Sequence, residues 1–208
     1  GLVADVLVVG SGGAGQAAAF SAAASGASVI ILEWAEVIGG TTAASGGTAW
    51  VPNNLSMKEL HGLDDPRDEA MRYLCRLAYP HQYNPQSPTL GLEPDAYALI
   101  ETFYDRGDEA LGFMAEHHAL EMVSDLSFPD YHADLPENVR PRGRHVKPAR
   151  GEPPIIAQLS QRNEELGVRT MLGHRVVGVL RAADGAIAGL EVRVGTRSHQ
   201  RPAPGVAP

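Results

Sequence analysis

The sequence predicts an α/β fold with a parallel sheet at its start, and three observations point to it. A β-branched run, Ala4 to Gly10, leads through a glycine-rich turn and an alanine-rich stretch into a second apolar run, Ser28 to Glu33. Helical spacing of apolar residues then dominates the middle of the chain. After Gly167 the pattern returns to short apolar strands separated by turn signals.

The first run (ADVLVVG) reads as a buried strand, because parallel strands covered on both faces are continuously apolar. Gly12 to Ser25 carries small residues on every side, which suits a helix lying close on a sheet, and Gly26 stops it. Ser28 to Glu33 is the second strand, so the segment is one parallel βαβ unit. Asp65-Pro66 offers a cap and a first-turn proline for a helix whose face is Ala70, Met71, Leu74 and Leu77. Pro94 opens another, with Leu99, Ile100 and Phe103 on one face, running past Gly107. Residues 124–153 read as irregular, interrupted by five prolines. Ile155 to Leu166 is helical again, ended by Gly167. Strands are expected over Val168 to Leu172, Arg175 to Leu180 and Ala186 to Val194, with Asp184-Gly185 as a tight turn. From Gly195 the proline- and arginine-containing end has no period and is expected to be disordered.

Composition narrows the function. The chain has 208 residues, a formal net charge of −8 and no general basic face, which argues against nucleic-acid binding. The densest basic stretch, Arg140 to Arg150, is broken by prolines and reads as a solvated loop. No apolar run reaches the length of a transmembrane helix, and the first residues lack the basic start of a cleaved leader. The single Cys75 excludes an internal disulfide and fits a reducing, cytoplasmic setting; it falls in an amphipathic helix as a small core residue. His117-His118 has no companion ligand cluster, so no metal site is expected.

The chemistry concentrates in the first fifty residues. Gly10-Ser11-Gly12-Gly13-Ala14-Gly15 matches G-x-G-x-x-G, follows a strand and opens a helix. The first glycine permits the turn, the second lets the backbone approach a pyrophosphate, and the third lets helix and strand pack closely. The helix N-terminus presents free N–H groups to the diphosphate. Glu33, at the end of the next strand, is placed to accept both hydrogen bonds of a ribose diol, which disfavours a 2′-phosphate. Behind it, Gly39-Gly40-Thr41-Thr42-Ala-Ala-Ser45-Gly46-Gly47 supplies small residues where an NAD enzyme would begin a third strand. Such a segment suits a longer cofactor, so FAD is favoured over NAD.

The runs DVLVVGSGGAG and LEWAEVIGGTTAASGGTAWVPNN, which include Trp34, resemble the FAD-dependent fumarate reductase and 3-ketosteroid dehydrogenase superfamily. Ser45 to Asn53 is most similar to the 3-ketosteroid Δ1-dehydrogenase branch. Phe128-Pro129-Asp130-Tyr131 resembles that branch's Pro-Asp-Tyr element, and Gly143-Arg144-His145-Val146-Lys147-Pro148 its Gly-Arg-Ser-x-x-Pro element, with histidine where serine is usual. The resemblance implies a Rossmann-like FAD-binding domain over residues 1–194, with a parallel sheet plus a β-meander, and Val176 offering its backbone to the adenine edge. It implies desaturation of a steroid-like hydrophobic ketone: a base removes the proton beside the carbonyl and a hydride passes to flavin N5, with an external electron acceptor. Tyr131 is implied as a helper to the base, since a tyrosine near its free pKa of ~10 is a weak base at neutral pH. The substrate domain and the base tyrosine of the family have no counterpart in this sequence, so the expectation is a fragment of such an enzyme. A fumarate- or succinate-type flavoprotein and a non-catalytic flavin-binding module are the alternatives.

Overall fold

The computed structural model describes residues 2–195, so all of the expected disordered end except Gly195 lies outside the described residues. In chain order the first elements are β1 (Val6–Val9), α1 (Gly13–Ala24), β2 (Val29–Leu32), α2 (Gly40–Ala44), β3 (Ala49–Trp50), α3 (Leu55–His61) and α4 (Arg67–Ala78). They are followed by α5 (Pro94–Glu116), β4 (Met122–Ser124), β5 (His145–Pro148), α6 (Ile155–Glu165), β6 (Arg169–Met171), β7 (His174–Arg181) and β8 (Ile187–Val194). Among the described residues, 2–45 and 159–195 form one compact unit and 46–158 a second.

The first unit is the βαβ segment completed by residues 159–195. β1 pairs in parallel with β2 from Val6 opposite Val29 to Val9 opposite Leu32, and β2 pairs in parallel with β6. β2 is therefore the central strand of the order β1-β2-β6, and all four of its residues are buried. That is why it reads as an unbroken apolar run. Ala19 and Phe20 of α1 are fully buried, and Val8, Ala19, Val29, Ile31 and Val168 make one core. β7 and β8 form an antiparallel pair closed at Gly185 (φ +87°), where Asp184 Oδ1 accepts from Ala186 N.

The second unit has two parts. α4 and α5 pack through Ala70, Met71, Cys75, Ile100 and Tyr104. Cys75 is fully buried, and burial followed by the nearby Glu101 pushes its thiol up to about 11, so it packs as an inert small residue. The α5 face differs from the expected one. Leu99 is 70% exposed, and the buried pair is Ile100 and Tyr104, one turn apart, because the Tyr104 hydroxyl reaches inward to Asp65 O at 2.6 Å. Gly107 sits inside α5 where an added Cβ would lie 3.1 Å from Val51 Cγ1.

The second part is a small antiparallel sheet, order β3-β5-β4, whose central strand β5 comes from the stretch expected to be irregular. The basic stretch is likewise not a uniformly solvated loop: Arg144 is fully buried and Val146 is 1% exposed. Asp65 does not cap α4 either. That helix begins after Pro66 without a side-chain cap, because both Asp65 carboxylate oxygens accept from Arg144.

Candidate functional site

The first unit builds a cradle from two glycine-rich segments. Gly10 takes φ +91°, turning the chain sharply out of β1. A Cβ on Gly15 would stand 2.0 Å from Gly10 O, so only glycine lets α1 start this close to the strand. Gly12 pairs with Gly39 in a parallel bridge, and Gly13 N donates to Thr42 Oγ1 at 3.1 Å. A Cβ on Gly12 would have only Gly39 O nearby, at 3.8 Å, and one on Gly40 only Gly12 Cα at 3.8 Å. The two α-carbons thus line a gap that side chains would fill. α1 has neither an acidic residue in its first turn nor a side-chain cap. Apart from Gly13 N, which Thr42 takes, the N–H groups of its first turn face the position of an anion.

Ser11 joins the parts of this cradle. It is fully buried; its hydroxyl donates to Glu33 Oε2 at 2.6 Å and accepts from Gly39 N at 3.1 Å. Glu33 Oε2 also accepts from Ser11 N, and Oε1 accepts from Ala35 N at 2.7 Å. Partial burial pushes the Glu33 carboxyl up, but the bonds from Ala35 and Ser11 outweigh it and hold the pKa below the ordinary glutamate value. Glu33 is therefore an ionised acceptor: Oε2 already takes both Ser11 donors, and Oε1, with the one bond from Ala35 N, keeps a lone pair for a ribose hydroxyl. Beside it Trp34 is 39% exposed, with the Arg175 guanidinium 4.7 Å from its ring centroid. Val176 follows Arg175 on β7, opposite Val192.

Gly10, Ser11, Gly12, Gly13, Ala14, Gly15, Glu33, Gly40 and Thr42 are thus brought together, with Thr41 exposed on α2. Ser45 ends α2, its hydroxyl donating to Thr42 O, whereas Gly46 and Gly47 begin the second unit. Tyr131 also belongs to the second unit. It is 96% exposed, not packed as a loop aromatic.

That unit holds a cleft of about 360 Å³ with Tyr131 at its edge and Trp50, Tyr73, Leu74, Leu77 and Phe103 among its walls. Trp50 stacks on Phe103 at an interplanar angle of 8°. Under the cleft lies a buried charged network that sequence reasoning missed. Arg144 donates to both oxygens of Asp65 at 2.8 Å, to Asp130 Oδ2 at 2.8 Å and to Asn138 Oδ1 at 2.9 Å. The guanidinium also faces Tyr73 at 4.9 Å and Trp50 at 5.4 Å. Asp130 in turn accepts from Trp50 Nε1 at 2.8 Å. The residue before Tyr131 is therefore fixed by the Arg of the later motif, which ties the Pro129-Asp130-Tyr131 and Gly143-Arg144 elements together. Burial and Asp130 push the Tyr73 phenol up to about 12, so it stays neutral. The signal available in sequence was an Asp and an Arg within two separate short motifs, with nothing to say that they meet.

Residues 5–206 match the FAD binding domain family. Over 144 residues the chain is 39% identical to a 3-oxosteroid 1-dehydrogenase of Mycolicibacterium smegmatis, covering 69% of this chain and 23% of that protein. It is 42% identical over 144 residues to a 4-oxocyclohex-2-ene-1-carboxylate 5-dehydrogenase of Sinomonas cyclohexanicum, covering 69% and 22%. The matched stretch thus spans under a quarter of these relatives. In fold it is similar to a crystal structure of 3-ketosteroid-Δ4-(5α)-dehydrogenase from Rhodococcus jostii, at a TM-score of 0.71 and 22% identity, covering 92% of this chain and 42% of that one. A flavocytochrome c3 fumarate reductase follows at 0.61 and 22%, covering 91% and 30%. No helix among the described residues is long and apolar enough to cross a membrane. The glycine cradle, the uncapped α1 and the ionised Glu33 fit the ADP half of the cofactor, and the chain belongs to the FAD binding domain family, with FAD as its cofactor.

Proposed function

We propose that this chain is the FAD-binding portion of a flavin-dependent dehydrogenase that desaturates a ring ketone, of the 3-oxosteroid type. The observation that carries the reading is Tyr131 at the edge of an aromatic cleft, directly after Asp130, which Arg144 fixes. An apolar wall of that kind suits a hydrocarbon ring and excludes water, and an exposed phenol at its edge suits proton transfer. The names of the relatives agree: both describe dehydrogenation of a ring bearing an oxo group.

In this reading residues 1–194 act as one FAD-binding domain. Gly12, Gly13, Ala14 and Gly40 frame the diphosphate, Thr41 and Thr42 border it, and Glu33 accepts from the ribose diol. Trp34 and Val176 flank the adenine side, and Ser45, Gly46 and Gly47 lead toward the flavin ring. When bound, FAD supplies the two-electron acceptor. Tyr131 supports the group that takes the proton beside the carbonyl, by donating a hydrogen bond that favours that group's deprotonated, proton-accepting form before negative charge passes to the substrate. The electrons leave through an external acceptor, and the single buried Cys75 suits a reducing, cytoplasmic compartment.

The test is an anaerobic mixture of the flavin-loaded full-length protein with a 3-oxosteroid. Bleaching of the flavin absorbance with formation of the conjugated ketone is expected, and faster than with 4-oxocyclohexanecarboxylate, because the cleft walls are chiefly apolar. Bleaching by succinate and by neither ketone would contradict the reading and favour a dicarboxylate flavoenzyme.

A further inference from the structure

We propose that His145 is a positioning residue for Tyr131, a role that rests on the desaturation reading above. β3 and β5 place Trp50 directly opposite His145, so the two side chains share one face of the sheet, the face that lines the cleft. The next residue, Val146, points the other way and is 1% exposed. The His145 side chain itself is 14% exposed, and its Nε2 lies 3.7 Å from Asp130 Oδ1. That carboxylate cannot drift. Its Oδ1 also accepts from Trp50 at 2.8 Å, and its Oδ2 from Arg144 at 2.8 Å and Asn138 at 3.3 Å.

Tyr131 is the opposite case. Its loop is pinned by Asp130 N donating to Pro141 O at 2.8 Å, yet the residue is 96% exposed. Among the described residues its ring neighbour is His145, met edge-on at 6.5 Å between centroids and 84° between planes. A free phenol at a cleft edge samples several rotamers, and a reaction that needs its hydroxyl in one place loses rate accordingly. The His145 ring, held on β5 opposite Trp50 and largely buried, gives Tyr131 one fixed aromatic edge to meet. His145 acts on the reaction through Tyr131 and not by touching the reacting atoms.

A double-mutant cycle tests this in the flavin-loaded full-length protein, read as the anaerobic rate of flavin bleaching by a 3-oxosteroid. His145→Gln, which keeps a polar group near Asp130 but removes the ring, is expected to slow bleaching at saturating ketone by up to about tenfold, the ceiling for one edge-to-face contact. The half-saturating ketone concentration and flavin content should stay unchanged. In a Tyr131→Phe,His145→Gln double variant, the His145 change should add much less than it does alone, since no hydroxyl remains to be placed. His145→Phe, which restores an aromatic edge, should recover most of the rate. Fully additive losses, or a His145→Phe variant as slow as His145→Gln, would overturn the positioning role. A wild-type flavin that no ring ketone bleaches would instead overturn the dehydrogenase reading on which it stands.

Discussion

The glycine cradle and the aromatic cleft are built by opposite means. The cradle is made of backbone: Gly10, Gly12, Gly15 and Gly40 matter for the side chains they lack, and two hydroxyls link the segments, Ser11 through Glu33 and Gly39 and Thr42 through Gly13 N. The cleft is made of side chains held from beneath by a charge network, in which one buried guanidinium serves two buried carboxylates. Backbone geometry tolerates no Cβ at its closest approach, whereas a buried ion pair tolerates no loss of a partner. The two regions should therefore fail in different ways.

The most severe failure belongs to the cradle. Gly15→Ala puts a methyl group 2.0 Å from Gly10 O, and α1 must move to admit it. Overpacking typically costs about 1–3 kcal/mol, and here the displaced element carries the proposed diphosphate site. Flavin absorbance of the purified variant is expected to fall to background. Full flavin content in Gly15→Ala would mean that the close approach is not required.

The cleft should fail through stability. Arg144→Met leaves Asp65 and Asp130 buried without their cation, and breaking a buried pair in this way costs about 3–5 kcal/mol. The midpoint of urea unfolding should fall accordingly; an unchanged midpoint would show that the network contributes no net stability.

Chemistry separates the regions next. Tyr131→Phe keeps the ring and removes the hydroxyl, so in the full-length enzyme kcat is expected to drop on the order of 10²-fold, with KM and flavin content little altered. A wild-type kcat would reduce Tyr131 to a surface aromatic.

A gentler change returns to the cradle. Glu33→Ala removes the proposed acceptor for the ribose diol, and charge-assisted bonds contribute about 1.5–3 kcal/mol each at most, so FAD affinity should fall about tenfold or more. The same carboxylate has a pH signature. Its folded pKa is depressed, so its stabilising contribution is complete above the ordinary glutamate range and is lost as pH falls through the lower folded value. Wild type should therefore lose stability over that acidic interval more steeply than Glu33→Ala. Parallel pH profiles would assign Glu33 no such part.

The same contrast explains what could be read from sequence. Gly10 to Gly15, the two strands and Glu33 are legible because each constraint is local: a turn with positive φ, a close approach, a carboxylate at a strand end. The buried run of β2 is legible because a central parallel strand is apolar throughout. Arg144 was not legible, because its partners lie 79 and 14 residues away and an arginine among prolines and other basic residues reads as solvated. Nor was the α5 face, where Leu99 looks as apolar as Ile100 and only the inward hydrogen bond of Tyr104 decides the rotation. Asp65 had a plausible local use as a helix cap, and the tertiary partner Arg144 took it instead.

The central claim, that the glycine cradle is the FAD diphosphate site, is tested most directly at Gly12. This residue has extended backbone, φ −67° and ψ 178°, and an added Cβ would meet nothing closer than 3.8 Å. Gly12→Val should therefore fold normally while filling the gap between Gly12 and Gly40. FAD titration, followed by quenching of flavin fluorescence, is expected to give saturable binding for the wild type and none for Gly12→Val, at an unchanged thermal midpoint. Equal FAD binding by the two proteins, or retention of NAD without flavin by the wild type, would contradict the account.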